Sequence, residues 1–336
     1  MVGMSRKHYL TAGAALVAAA LAFLFYPHAN VPASSAAVHA AVGSVSAVSK
    51  DQPPKPKPAS KATAANQSAK PLPAAYTPLK EAYAELQARA NAGDVAAATR
   101  LYRDVNICRL FGSLSRGNTH LAEEINGQGD KVDSMDLAQL DNYKVQLDAI
   151  DSRKQLTDKL HVLCDGASQS ELDGLVPNLQ RAAELGEPNA RACYLQNGPN
   201  MDMRSFARRP EMLDDYRGSV QSLADAGLAD GDWKVVDLLR NAYAPDAQSI
   251  LAGVVGSDPV QYYRYLQLYR LGAEPYRKAE LDRELSAAAE KLTPAQQSDA
   301  GAWAQATFQR NFQGNTNSTE STVAGWDACS FPYEGG

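Results

Sequence analysis

The sequence predicts an all-α fold, an irregular α-solenoid-like array of helical hairpins behind an N-terminal anchor and a disordered linker. Three observations carry this expectation. Proline recurs where helices can start, apolar residues recur at helical spacing, and no stretch sustains the two-residue alternation of a half-buried strand. The 336 residues exceed an ordinary single domain, which leaves room for N-terminal segments outside it.

Residues 1–29 hold Arg6 and Lys7 and then an uncharged, Ala- and Leu-rich run from Leu10 to Tyr26. After Lys7 no Lys or Arg appears until Lys50. This asymmetry places the N-terminus in the cytoplasm and the rest across the membrane. Two readings of the run stay open. It is a retained membrane anchor, although a span takes roughly 20 apolar residues and the run is a little shorter. Alternatively it is the apolar region of a cleaved signal peptide, with small residues around Ala29 and Ala40 as processing sites. The first reading puts the protein in an inner membrane with its domain facing the periplasm. The second releases it into the periplasm.

Residues 30–75 are rich in Ala, Ser, Pro and Lys, including Pro53-Pro54-Lys55-Pro56-Lys57-Pro58. Such a segment buries too little apolar surface to offset the entropy of ordering, and its prolines stiffen it. It reads as a spacer.

Residues 76–313 read as the helical domain. Pro78, Pro188, Pro210, Pro259, Pro275 and Pro294 mark candidate helix starts, and Thr293-Pro294-Ala295-Gln296 has the form of a capping box. Leu79, Tyr83, Leu86 and Ala90 share one helical face. So do Trp233, Val236, Leu239 and Tyr243, and so do Leu281, Leu285, Ala288 and Leu292. Gly93, Gly186, Gly227 and Gly272 follow apolar stripes and are expected to end helices. Leu110–Val132, with Gly112, Gly117, Gly127 and Gly129, is expected to be an irregular excursion around at most one short helix.

The segment Leu86–Ala97 aligns without gaps on Leu179–Ala190, sharing Leu, Ala, Gly, an acid and Ala in register. Looser copies surround Gly227 and Gly272, at spacings near those of helix-pair repeats. The stretches Ala88-Arg-Ala-Asn-Ala-Gly-Asp-Val-Ala-Ala97 and Arg181-Ala-Ala-Glu-Leu-Gly-Glu-Pro-Asn-Ala190 resemble the helix–helix junction of Sel1-like repeats, relatives of tetratricopeptide repeats. The resemblance implies stacked helix pairs in which the glycine ends the first helix and the alanine admits the second. The family's longer Gly- and Trp-bearing segment has no counterpart here, so the expected array is irregular.

Residues 314–336 read as an irregular tail docked on the domain, because its aromatics and Cys329 need cover. The four cysteines, Cys108, Cys164, Cys193 and Cys329, form no CxxC pair, so the usual zinc spacing is absent. In an oxidising compartment they read as two disulfides, with three connectivities open. The pairing Cys108–Cys164 and Cys193–Cys329 is favoured, since it closes the excursion and staples the tail. Four buried free thiols are the alternative.

A net charge of −5 argues against a broad basic surface for nucleic acid. No HExxH motif or phosphate-binding glycine loop occurs, and Gly112-Ser-Leu-Ser-Arg-Gly117 lacks the spacing of a nucleophile elbow. His120 and His161 stand alone. The sequence therefore supports no catalytic residue, cofactor or metal, and the chain reads as non-enzymatic. Two features suit an interface. Arg204 and Arg208 form a basic patch beside Arg209, although pairing with Glu211 and Asp214 is the plainer reading. Tyr262, Tyr263, Tyr265 and Tyr269 crowd one helix, where several must also serve the core. The expected role is a membrane-tethered scaffold for a protein partner in the cell envelope. The alternatives are a steric chaperone similar to lipase foldases, whose motif Arg204-Ser-Phe206-Ala does not match, and an envelope hydrolase.

Overall fold

A computed structural model describes residues 71–317 together with Cys329. The anchor or signal expected over residues 1–29, and the linker as far as residue 70, lie outside the described residues. Among the described residues the chain is all-α, with no strand. No described helix is long and apolar enough to cross a membrane.

Helices α1 (Leu79–Asn91) and α2 (Val95–Asn126) meet at a tight junction. Gly93 takes φ +97°, a conformation that penalises any side chain, and the next residue, Asp94, caps α2 by accepting from the Ala97 N–H. After a 3₁₀ turn over Gly129–Ser134, α3 (Leu137–Cys164) returns along α2. Leu79, Leu86, Leu101, Val105 and Leu163 close a small core here. Leu72 packs on it, and the Pro71 and Ala74 carbonyls accept from Arg89 and Arg100. Docked structure thus reaches back into the last residues assigned to the linker.

A short helix α4 (Gln169–Leu172) leads to α5 (Leu175–Glu184) and α6 (Pro188–Asn197). The α5–α6 junction reproduces the first one: Gly186 has φ +92°, and Glu187 caps α6 through the Ala190 N–H. The repeat seen in the sequence is therefore a repeat of backbone geometry. It occurs again between α8 (Met212–Ala229) and α9 (Trp233–Tyr243), where Gly231 has φ +72° and Asp232 is the cap. Gly227, expected to end a helix, lies inside α8 instead. A Cβ there would stand 2.5 Å from Val235, so this glycine permits close helix contact rather than a stop. Gly272 does end a helix, but with φ −84°.

Helices α7 (Met203–Arg208), α10 (Ile250–Val255), α11 (Pro259–Leu271), α12 (Pro275–Ala289) and α13 (Pro294–Thr307) complete the array, followed by a π turn at Phe308–Phe312. Pro188, Pro259, Pro275 and Pro294 open their helices, and the Thr293–Gln296 capping box forms. The larger core gathers Tyr194, Tyr216, Trp233, Val236, Leu266 and Phe312. Trp233 packs on Tyr269, Phe308 and Phe312, and Gly272 admits its ring, since a Cβ there would lie 2.3 Å away.

Leu110–Val132 is not an irregular excursion. It supplies the distal part of α2, which runs 32 residues through Gly112 and Gly117. Glycine in a helix costs about 1 kcal/mol relative to alanine. Helix α2 continues through both glycines while it meets α3 at Phe111–His161, at Asn118–Thr157 and around Leu121 and Ile150.

Candidate functional site

The α2–α3 hairpin is the feature most unlike the rest of the domain. In α3 only Leu160 and Leu163 are buried, both at the C-terminal end. That end is fastened to the domain. Cys164 forms a disulfide with Cys108 of α2, Lys80 of α1 pairs with Asp165 at 2.9 Å, and Lys159 lies over the Tyr76 ring. Away from the base the two helices rely on each other. Phe111 meets His161 edge to face, and the Asn118 side-chain amide donates to Thr157 Oγ1 at 2.9 Å. Near the tip, Leu121, Ile125, Ala149 and Ile150 line a groove of about 300 Å³, with Glu124 and Arg153 at its rim.

This hairpin carries most of the exposed large apolar side chains among the described residues. Leu110, Leu114, Leu137, Val145, Leu156 and Val162 all belong to it, and Val95 opens α2. Only Met203 and Tyr276 lie elsewhere. Scattered exposed leucines are ordinary on a surface. Concentration on one projecting pair of helices is not, and such a pair has little core of its own to explain them.

The residues singled out for an interface from sequence fall differently. Tyr263, Tyr265 and Tyr269 are buried in the larger core, and Tyr262 is half-buried against it. Tyr265 stacks on Tyr243 and meets Trp303 edge to face; Tyr269 lies under the guanidinium groups of Arg240 and Arg277. The tyrosine face expected at an interface is therefore turned inward. Helix α11 is packed by α9, α12 and α13, which leaves no open side for that row. The arginines are nearer the plain reading, with a different partner. Arg208 pairs with Asp173 at 2.7 Å, Arg209 donates to the Asp173 carbonyl, and the expected Glu211 and Asp214 are not their acceptors. Arg204 is exposed. The two arginine contacts hold α7 to the end of α4 and do not form an anion site.

The four cysteines close as Cys108–Cys164 and Cys193–Cys329, the favoured pairing. Of the tail expected over residues 314–336, only residues 314–317 and Cys329 lie within the described residues, and Asn317 and Cys329 are buried. Asn317 is fully buried, with its side-chain amide donating to the Tyr269 carbonyl and its backbone N–H to that of Gly272.

Several charged side chains are buried, and two ion pairs among them bear on chemistry. Arg191 of α6 is paired with Asp230 at 2.7 Å and faces Asp232 at 3.8 Å. Burial raises the Asp232 carboxyl, with backbone N–H bonds and Arg191 working against it. Asp104 of α2 bonds Arg100 at 2.6 Å, yet burial outweighs that partner and pushes its carboxyl up to about 6. Neither carboxylate adjoins a second candidate acid or base in an open cleft, and both sit in structural ion pairs. Among the described residues no cluster of three or more His, Cys, Asp or Glu side chains could hold a metal.

Comparison with known proteins returns no match to any family model, any curated protein or any solved structure.

Proposed function

We propose that this chain is an exported, membrane-tethered helical scaffold of the Sel1-like kind, which presents the α2–α3 hairpin to a protein partner in the cell envelope. The carrying observation is the hairpin itself: two long helices, clamped at the base by Cys108–Cys164, with most of the exposed large apolar side chains. The two disulfides suit an oxidising compartment outside the cytoplasm. The apolar run at Leu10–Tyr26, preceded by Arg6 and Lys7, supplies a tether or an export signal, and the Pro- and Lys-rich segment after it supplies reach. The recurring glycine–acid junctions at Gly93, Gly186 and Gly231 support the repeat kinship.

The test is crosslinking in cells with the tagged full-length chain, followed by recovery from membranes and mass spectrometry. A protein partner crosslinked through α2 or α3, and lost in Leu110→Glu/Leu114→Glu, is the expected result. Recovery of the chain with nothing bound to the hairpin overturns the reading.

A further inference from the structure

The two broad sides of the α2–α3 hairpin differ in chemistry. The groove near the tip, floored by Leu121, Ile125, Ala149 and Ile150, opens on one of them. Gly117, Leu114 and Leu110 stand four, seven and eleven residues before Leu121, so they extend that side of α2 toward the base. Leu156 stands seven residues after Ala149 and extends it along α3. All four are exposed, and a Cβ at Gly117 would meet nothing within 4 Å. The other side is polar. Arg116, Thr119 and Glu123 lie five or two residues from Leu121, which turns them away from it. Lys154 and Asp158 lie opposite Ala149 on α3 by the same count, and they pair with each other at 2.8 Å.

The apolar side runs about 27 Å from Leu110 to Gln128 at 1.5 Å per residue. Its walls are helices, whose backbone groups are already bonded within each wall. An extended peptide laid there would find little for its own N–H and C=O groups beyond the Gln128 and Gln146 side chains. A helix arrives with those groups satisfied. The surface is also a groove, and a groove is filled by a ridge. Two copies of the same grooved side would leave both grooves empty. Two charges mark the rim, Glu124 on α2 and Arg153 on α3. Both are exposed, and neither enters an ion pair among the described residues. One acid beside one base gives no net positive charge to draw an anionic lipid surface.

We propose that this side receives one amphipathic helix of a protein partner, laid between α2 and α3 as the third helix of a bundle. The assignment rests on the reading of the hairpin as an interaction surface, and names the side and the chemistry of its occupant. The partner helix seats a large apolar side chain in the groove over Ala149. Further apolar side chains on the same stripe of that helix cover Leu114 and Leu156. A basic side chain on one flank answers Glu124, and an acidic one on the other flank answers Arg153. Gly117 has no side chain to hold the helix off α2.

The test places a photoreactive amino acid in the full-length chain in its own cells. It stands at Leu114 or Ala149 on the apolar side, and at Thr119 or Asp158 on the polar side. Crosslinked segments are sequenced by mass spectrometry. Leu114 and Ala149 are expected to capture the same segment of one partner, with apolar residues three and four apart and both a basic and an acidic residue beside them. Thr119 and Asp158 are expected to capture nothing. Glu124→Lys and Arg153→Glu, each combined with the probe at Leu114, are expected to lower the yield about tenfold. Ala149→Trp, which fills the groove, is expected to abolish it. Unchanged amide exchange across α2 and α3 in these variants separates lost docking from a damaged hairpin. A captured segment without the helical apolar pattern, a second copy of this chain, or lipid in its place overturns the proposal. So does a yield indifferent to the reversals or to Ala149→Trp. If only the polar side captures a protein, the helix assignment falls and the scaffold reading stands. If neither side captures anything, both fall.

Discussion

The α2–α3 hairpin and the array from α5 to α13 are built from the same secondary structure, and each holds one cysteine pair or an end of it, yet they are stabilised differently. In the array each helix meets several others, and large side chains such as Tyr194, Tyr216, Tyr269 and Phe312 are almost wholly buried. In the hairpin each helix has one main neighbour beyond the base, and α3 buries two residues in 28. Helices of that length gain most of their stability from tertiary packing rather than propensity. The difference teaches that the array is held by its core, whereas the hairpin is held by its base, one seam and a disulfide.

The sharpest way to break the comparison is to damage the array's centre. Trp233→Ala removes the ring that joins Tyr269, Phe308, Phe312 and Gly272, and is expected to cost about 3–5 kcal/mol. Urea unfolding followed by circular dichroism should show the loss as one cooperative shift. A change under about 1 kcal/mol would mean that the aromatic cluster is not the array's keystone.

Opening the hairpin's clamp should act locally. Cys108→Ser with Cys164→Ser removes a link between residues 56 apart, which is worth up to about 4 kcal/mol by chain entropy. Amide exchange is expected to speed up over Phe111–Thr157 while α9 and α11 keep their protection. Uniform acceleration across the domain would show that hairpin and array unfold as one unit.

Asp104 lies at the root of the hairpin and ties its stability to pH. Its carboxyl is raised to about 6 by burial, against an ordinary value near 3.9 in the unfolded chain. The folded state therefore holds the proton more tightly. The resulting stability is present below about pH 4 and is lost as pH rises to about 6, with a magnitude on the order of 2–3 kcal/mol. Asp104→Asn is expected to flatten this window in urea titrations at pH 4, 5, 6 and 7. An unchanged slope would place the effect on other groups. The smallest effect is expected from Asn118→Ala, which breaks the single Asn118–Thr157 bond across the seam. It should cost about 1 kcal/mol and show mainly in hairpin exchange rates.

Much of the fold was legible in the sequence. The stripe Leu281, Leu285, Ala288 and Leu292 is buried as its spacing requires, and the Thr293 capping box stands where its residues place it. These features depend on neighbours within one or two turns. The hairpin was missed because four glycines and several polar residues outvoted the seam. Its signal lay in α3, where Leu140, Tyr143, Leu147 and Ile150 keep a helical stripe and Asp136 with Gln139 forms a capping box. The tyrosines were misplaced for the opposite reason. Tyr262, Tyr263, Tyr265 and Tyr269 surround much of one helix, and nothing local tells which side meets solvent. Packing by α9, α12 and α13 settles that.

The sequence by itself determined the helical class, the helix starts at Pro188, Pro259, Pro275 and Pro294, the glycine–acid junctions at Gly93 and Gly186, and the favoured cysteine pairs. The helix starts and junctions follow from short-range sterics and capping, and the pairing from an even number of cysteines with no CxxC spacing. Only the tertiary structure decided that α2 continues through Gly112 and Gly117, that Gly227 is a contact and not a stop, and that the tyrosines face inward. The reason is one of scale. A glycine or a cap shifts the local balance by about 1 kcal/mol, and contacts between distant helices, summed over a whole face, exceed it.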